Sequence, residues 1–392
     1  MEPTPPGPPG RTLPPLPDLP APPAVPNTPP GWYSDPWGMA EWRWWDGWAW
    51  TGHVSINPER KPKLPGWLSW PVVVGLLFAV PLTAFIAFGD PLAVVLAFIP
   101  MIIVGPVLFW LDRVEPEPLQ SRIHAFLWGG TISGVVAGTI NSIVYAASSE
   151  TVAAVFSAPL TEESMKTLGI IWALRRKEID GVMDGVVYAG WVALGFAVVE
   201  NFLYFSDAAS QDVLVQTVIV RGFMTPFAHP LFTAWSGLAI GWAVARRTSV
   251  AVALTWGLPL AIFSHGAWNG ALSVAEENEN VLLVAIPGFV LLFLSAGIAV
   301  AMIRKREQGH FLRLVPMLAN RYGLTAQEIA IFGQWRTMLS TRKRLPKNQR
   351  KSFDQVHGNL ARLAALHNRP GDLDSAAEAV LVSRLRRARA GE

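Results

Sequence analysis

The chain of 392 residues carries 32 Lys and Arg against 29 Asp and Glu, a formal net charge of +3, and 51% of its residues are hydrophobic. Only 16% of the residues are charged, well below the ~25% of ordinary soluble domains. The composition therefore excludes a typical soluble protein and indicates an integral membrane protein with polar ends. Because cysteine is absent, disulfide scaffolds, cysteine metal sites and cysteine nucleophiles are excluded as well.

Three segments precede the first apolar run. Residues 1–30 contain 14 prolines and predict a disordered, extended arm, and the chain opens without the basic and apolar stretches of a signal peptide. Residues 31–58 are rich in Trp, and the near-alternation of aromatic residues predicts a small β-hairpin unit. Residues 59–66 form a basic linker.

Long apolar runs fill residues 67–303 and predict a polytopic bundle of about eight transmembrane helices, because ~20 helical residues cross a bilayer. The predicted spans are 67–88, 91–111, 125–147, 151–174, 184–205, 213–245, 250–273 and 281–302. Pro226 lies in the middle of the sixth run and predicts a kinked or broken helix there. The predicted fold class is therefore an all-α membrane protein with a small N-terminal Trp-rich β unit and a C-terminal helical cytoplasmic region.

Loop charges predict the orientation of this bundle. Lys and Arg occur before the first span and after the second, fourth, sixth and eighth spans, whereas the other connections contain neither. Since basic loops stay on the cytoplasmic side, both termini are predicted to be cytoplasmic.

The C-terminal region, 304–392, carries 18 Lys and Arg against 7 Asp and Glu. Leu360, Leu363 and Leu366 recur at helical spacing and predict short amphipathic helices. Such positive charge favours anionic lipid headgroups as a partner. Nucleic acid is disfavoured, because no binding motif is present and aromatic residues are sparse.

Apart from Asp184 at the first position of the fifth span, the fourth to seventh spans contain seven acidic, basic or histidine side chains, whereas the remaining spans contain none. They are Glu162, Glu163, Lys166, Glu200, Arg221, His229 and His265. Each such side chain costs about 2.5–3.5 kcal/mol at the centre of a membrane helix. The cluster therefore predicts a functional site inside the bundle.

The spacing of these residues indicates hydrolytic chemistry. Lys166 follows Glu162 and Glu163 by four and three residues, so it can neutralise one carboxylate. The other carboxylate then remains available as a general base. Glu200, His229 and His265 fall at a similar depth when their spans are counted at 1.5 Å per residue. Two histidines and a carboxylate match the ligand set of catalytic zinc sites.

Four sequence motifs follow one another through this region: APLTEESMK (158–166), DGVMDGVVYAGWVALGFAVVEN (180–201), RGFMTPFAHPLFTAWSG (221–237) and FSHGAWN (263–269). They resemble the successive motifs of PrsW-type intramembrane proteases, distant relatives of the CAAX-prenyl-protease and bacteriocin-immunity membrane proteases. The resemblance implies a peptidase of the bacterial cell membrane. Its substrate would be a membrane-anchored protein, such as an anti-sigma factor, cut near the outer leaflet.

The resemblance also implies roles for single residues. Glu162 and Glu163 fall on a paired-glutamate motif, Glu200 and Asn201 on a Phe-x-x-x-Glu-Asn motif, His229 and His265 on two histidine motifs, and Asn269 lies one turn later. We therefore expect Glu162, Glu163 and Asn269 to be catalytic and His229, His265 and Glu200 to bind zinc. Supporting roles are expected for Lys166, Asn201 and Arg221. The CAAX relatives usually have His where Glu200 stands, so the ligand set is open at this position.

Other interpretations remain at this stage. The glutamate pair could form a structural salt bridge with Lys166, the histidines could join helices by hydrogen bonds, and Glu200 could pair with Arg221. The same polar cluster could serve a proton-coupled transporter or a scaffold without hydrolysis. In the N-terminal segment, the pattern GWYxDP…RWWDG resembles a short domain of unknown function that occurs in many actinobacterial membrane proteins.

Overall fold

The computed structural model describes most of the chain, namely residues 29–36, 42–55, 90–176, 178–368 and 375–390, with Val73 and Leu77 as single residues.

Three predicted segments fall mainly outside these described residues. They are the Pro-rich arm, the basic linker at 59–66 and the first predicted span at 67–88. The chain divides into two compact units. One unit, called the membrane unit below, is Leu64–Gly309, and the second unit comprises Met1–Lys63 and His310–Glu392.

The N-terminal segment forms a three-stranded antiparallel sheet of β1 (Gly31–Ser34), β2 (Trp42–Trp45) and β3 (Trp50–Ser55), in that order. The rings of Trp44 and Trp45 are buried. Beside them the buried Arg43 donates a hydrogen bond of 2.9 Å from Nε to Asp35 Oδ1. The predicted Trp-rich β unit is confirmed, with one strand more than a hairpin.

Eleven helices are described between residues 90 and 322. They are α1 (Pro91–Ala97), α2 (Ile99–Leu111), α3 (Leu119–Trp128), α4 (Gly134–Ala147), α5 (Glu150–Val152), α6 (Ala158–Arg175), α7 (Val182–Ser210), α8 (Leu214–Thr217), α9 (Ala228–Arg246), α10 (Val250–Glu277) and α11 (Leu282–Tyr322). Three π-helical turns extend these helices: Gly129–Ser133 after α3, Ala153–Ser157 after α5 and Val218–Met224 after α8.

Five helical segments of the described residues are long and apolar enough to cross a membrane. They are Pro91–Leu111, Leu119–Ala147, Val182–Ser210, Val250–Ala275 and Leu282–Tyr322. These segments correspond to the second, third, fifth, seventh and eighth predicted spans, and the predicted all-α membrane class is confirmed. The fourth and sixth predicted spans are also helical. The fourth, however, carries the charged residues of the candidate site, and the sixth is interrupted.

The long helix α7 lies at the centre of the membrane unit. It packs against α3, α6 and α9, and 89% of its most apolar stretch is buried. Two glycines allow this close packing: a Cβ atom on Gly195 would lie 1.9 Å from the carbonyl oxygen of Phe126, and one on Gly185 would lie 2.1 Å from that of Gly237. Neighbouring backbones therefore pass too close to α7 for any larger residue.

The sixth predicted span is interrupted near Pro226, as the sequence predicts. The π-helical turn ends at Met224, Thr225 leaves the helical conformation with φ −122° and ψ 30°, and α9 begins at Ala228. Proline has no backbone N–H and cannot continue the helix. As a result, His229 lies in the first turn of a new helix and faces the interior of the bundle.

Four helices of the second unit follow α11: α12 (Ala326–Phe332), α13 (Trp335–Arg344), α14 (Lys347–Asn368) and α15 (Ser375–Ala390). Leu360, Leu363 and Leu366 are buried along one side of α14. This agrees with the amphipathic helix predicted from their spacing.

Candidate active site

Two glutamates and a lysine of α6 meet inside the membrane unit. Glu162, Glu163 and Lys166 are buried, with 5%, 0% and 0% of their surface exposed. Lys166 Nζ lies 3.3 Å from Glu162 Oε2 and 2.9 Å from Glu163 Oε1. The lysine therefore pairs with both carboxylates, whereas the sequence predicts the neutralisation of one.

Glu163 uses both of its oxygens for contacts inside the protein. Its Oε1 also lies 3.1 Å from His265 Nδ1, and its Oε2 accepts a hydrogen bond of 2.8 Å from Thr233 Oγ1. Because the carboxylate accepts from His265 Nδ1–H, it orients the imidazole and directs Nε2 towards Glu162, whose Oε2 is 4.0 Å away. Glu163 thus holds His265 in place.

A second group of contacts surrounds Glu200 on α7. Its Oε2 accepts hydrogen bonds from His229 Nε2 at 2.6 Å and from Arg221 Nη2 at 2.5 Å. Arg221 also donates from Nε to Asn201 Oδ1 at 2.9 Å, and its guanidinium lies over the ring of Tyr204. Of the predicted supporting residues, Arg221 therefore holds Glu200, and Asn201 holds Arg221.

A cavity of about 320 Å³ connects these groups with the end of the bundle at which α5 begins. Its wall includes Glu200, His229, His265, Asn269 and, farther along, Glu150. Glu162 and Glu163 are not part of this wall. Asn269 donates from Nδ2 to the carbonyl oxygen of Ala154 at 2.8 Å, so this predicted catalytic residue is fixed against the π-helical turn that follows α5.

Three side chains are arranged as a candidate metal site. One donor atom each from Glu162, His229 and His265 lies within 4.8 Å of the other two. Two imidazoles and one carboxylate are donors that suit zinc, and two of the three residues border the cavity, where water could take a fourth position. The residues fit a metal ion on these grounds. The third donor of this group is Glu162, whereas the sequence predicts Glu200.

The sequence gives little indication of several residues that contact this site. Asn141 on α4 donates from Nδ2 to Glu162 Oε1 over 3.4 Å, and its Oδ1 accepts from Ser157 and Thr161. Thr233 bonds to Glu163, and the ring of Phe196 lies 3.9 Å from Lys166 Nζ. The one available signal was the side-chain amide of Asn141 in the third span, which contains no acidic, basic or histidine residue.

Sequence comparisons place the chain among membrane proteases. It is 35% identical over 205 residues to Protease PrsW of Clostridioides difficile, a match that covers 48% of this chain and 82% of that protein. The chain belongs to the PrsW family. A sequence profile of the PrsW family intramembrane metalloproteases matches residues 117–300, which include every residue of the candidate site.

Two further PrsW relatives match at similar levels. Protease PrsW of Geobacillus kaustophilus is 30% identical over 176 residues, which cover 42% of this chain and 73% of the relative. Protease PrsW of Oceanobacillus iheyensis is 28% identical over 196 residues, which cover 48% and 85%. Membership in the PrsW family makes this chain an integral membrane protein and a membrane peptidase.

A second family model matches the segment that contains the N-terminal sheet. Residues 30–63 match a protein of unknown function, DUF2510, in agreement with the resemblance of the Trp-rich segment. No solved structure matches the chain.

Proposed function

We propose that the chain is a zinc-dependent endopeptidase that cuts a membrane-anchored protein near the outer leaflet, with an anti-sigma factor as one substrate of this class. The grouping of Glu162, His229 and His265 beside the cavity carries this proposal. A bound zinc ion would polarise the scissile carbonyl and lower the pKa of a bound water.

The contacts of Glu162, Glu163 and Glu200 support a different role for each carboxylate. Glu162 makes only long contacts, 3.3 Å to Lys166 and 3.4 Å to Asn141, so it can turn an oxygen towards a metal ion. Glu200 borders the cavity, and its Oε1 has no partner among the described residues. Glu200 is therefore placed to accept the proton of the attacking water. The sequence predicts one glutamate of the Glu162/Glu163 pair as the base and Glu200 as a ligand. In this proposal Glu162 is the ligand, Glu200 is the base and Glu163 orients His265.

The position of the cavity supports a cut near the outer leaflet. The wall continues from His265 to Glu150 and Thr151 at the start of α5. The connection that precedes α5 contains no Lys or Arg, whereas α6 ends at Arg175 and Arg176 follows it. The positive-inside rule therefore assigns the Glu150 end to the outer side and both termini to the cytoplasm of the cell.

Anionic lipid headgroups are proposed as a second partner. Residues 336–351 contain seven Lys and Arg and no acid. Arg342 pairs with Asp354, and Arg350 donates to the carbonyl oxygens of Lys343 and Leu345. The other cations are exposed and have no ion-pair partner among the described residues: Arg336, Lys343, Arg344, Lys347 and Lys351. We call these five residues the basic patch, and such clusters bind anionic lipid.

The zinc content of the detergent-purified protein tests the metal. We expect about one zinc per chain in the wild type and in an exposed-histidine control, His310→Ala, and none in the His229→Ala/His265→Ala variant. Cleavage of co-expressed single-span proteins tests the peptidase activity with the same three chains. Zinc in all three chains would contradict the ligand set. Cleavage by the double variant would show that neither histidine is needed for the reaction. If the wild type cleaves no single-span protein, a relay or scaffold role would be favoured.

A further inference from the structure

Lys166 lies where a cation between the donor groups would lie. Its ammonium group is 2.9 Å from Glu163, 3.3 Å from Glu162 and 3.1 Å from His229 Nδ1, and the lysine is fully buried. Two of these three partners, Glu162 and His229, also belong to the candidate metal site. Lys166 therefore neutralises the Glu162 carboxylate and bonds to the His229 imidazole, and the proposed metal ion would need both groups as ligands.

The orientation of His229 strengthens this overlap. Its Nε2 lies 2.6 Å from Glu200, and since a carboxylate only accepts hydrogen bonds, Nε2 carries the proton. The remaining lone pair is on Nδ1, and Lys166 Nζ donates to it. A metal ion bound by His229 in this orientation has to take Nδ1. Glu200, fixed by Arg221, then becomes the carboxylate that orients a metal-bound histidine.

We propose that Lys166 and the metal ion compete for Glu162 and His229. This inference rests on the proposed zinc site. Two cations a few ångströms apart in a buried site repel each other strongly, so the ammonium has to withdraw when the metal binds. Lys166 thus stabilises the metal-free site, in which two buried carboxylates would otherwise stand side by side.

The surroundings of Lys166 provide a place for the withdrawn ammonium. Glu163 lies outside the metal group and keeps its contact of 2.9 Å with Nζ. The ring of Phe196 lies 3.9 Å from Nζ and can attract a cation through its face. A small displacement towards Glu163 and Phe196 therefore frees His229 Nδ1 and Glu162 while the lysine stays charged and paired.

Zinc affinity, measured against a chromogenic chelator at constant pH, tests this competition without using activity. We expect the Lys166→Met variant to bind zinc at least about tenfold more tightly than the wild type, because a buried like charge is removed. Lys166→Arg retains a cation and is expected not to gain affinity. Lys305→Met removes a cation outside the site and is the matched control.

A second measurement tests the competition even if Lys166→Met is less stable than the wild type. Without Lys166 the paired carboxylates lack a counter-charge, so the folded yield of Lys166→Met should rise when zinc is supplied during expression and purification, and more than the yield of the wild type. Equal zinc affinities and equal yields in all chains would overturn the competition and leave the zinc site intact. Absence of zinc uptake by every chain would overturn the zinc site and the competition together.

Discussion

Glu200 Oε2 lies 2.6 Å from Nε2 of His229, and this contact distinguishes the role of Glu200 from that of Glu162. A carboxylate at this distance accepts a hydrogen bond from the imidazole N–H and orients the ring. Glu162, in contrast, has no contact shorter than 3.3 Å to another side chain of the site. Substitutions of Glu200 and Glu162 are therefore expected to have different effects on zinc binding and cleavage.

The first prediction separates these two carboxylates. Glu200→Gln should lower cleavage by about 100-fold or more, the usual contribution of a general base, while zinc content stays near that of the wild type. Glu162→Gln should lose both zinc and cleavage, because an amide is a poor metal ligand. The exposed carboxylate Asp207 serves as the control through Asp207→Asn. The assigned roles are wrong if Glu200→Gln loses zinc and Glu162→Gln keeps it.

The second prediction concerns Arg221, which holds Glu200 and lies over Tyr204. Arg221→Ala should lower kcat/KM by about tenfold, since Glu200 loses its charged hydrogen-bond donor. Arg221→Lys should recover only part of the activity, because the lysine ammonium lacks the planar guanidinium fork with which Arg221 bonds to Asn201 and Glu200. Arg246→Ala, an exposed arginine at the end of α9, should leave kcat/KM unchanged. Full activity in Arg221→Ala would show that Glu200 needs no such support.

The third prediction concerns Asn141, which lies on α4 and donates a hydrogen bond to Glu162. Asn141→Ala should reduce kcat by about fivefold with little change in folded yield, since one hydrogen bond contributes ~1 kcal/mol. Thr139→Ala on the same helix is the matched control, because the Thr139 hydroxyl donates to the backbone carbonyl of Val135 on its own helix. An equal effect of both substitutions would indicate a general loss of α4 packing.

The fourth prediction tests the helix packing at α7. Gly195→Ala should lower the thermal unfolding midpoint, because the new methyl group would meet the backbone of α3 and overpacking costs about 1–3 kcal/mol. Gly138→Ala on α4 places the same methyl group where nothing lies within 4 Å. That variant should be neutral or slightly more stable, because alanine favours helix. Equal midpoints for the two variants would contradict the close approach of the backbones.

The fifth prediction concerns the basic patch. Because the chain has no cysteine, Ser340→Cys on α13 allows a single environment-sensitive dye to be attached. In nanodiscs with anionic lipid the emission should shift to the blue relative to neutral lipid. The shift should disappear in 1 M salt, where the Debye length is ~3 Å.

The charge variant Lys343→Gln/Lys347→Gln should lose most of this shift. Arg386→Gln/Arg387→Gln removes two exposed charges from α15 and should keep it. A shift that is independent of lipid charge would contradict a lipid role for the patch. A shift produced by added RNA in neutral nanodiscs would favour nucleic acid as its partner.

The sequence predicts the membrane class and the helices because these depend on properties of single segments. The long apolar runs, the interruption at Pro226 and the Trp-rich sheet all follow from local composition and spacing. The concentration of ionisable residues in four spans also points to the region of the site, since isolated charges in a bilayer are costly.

The partners of those residues could not be predicted in the same way. Whether His229 contacts Glu162, Glu163 or Glu200 depends on the rotation of α9 about its axis, and an error of one residue turns a side chain by about 100°. Asn141 and Thr233 illustrate the same point, because their role depends on which side of each helix faces α6. Residue types therefore indicate the chemistry, whereas helix rotation determines which pairs form.

The position of the cavity beside His229 and His265 has a consequence for the proteins that this peptidase can cut. In an α-helix each peptide carbonyl accepts a hydrogen bond from the N–H four residues later, and side chains surround the backbone. A membrane-anchored chain can thus present a scissile carbonyl to these histidines only where its helix is unwound over a few residues. Susceptibility to cleavage would then depend on the free energy needed to break the helical hydrogen bonds of a segment. Glycine or proline near the membrane surface, which lowers this free energy, would favour cleavage more than any particular side chain.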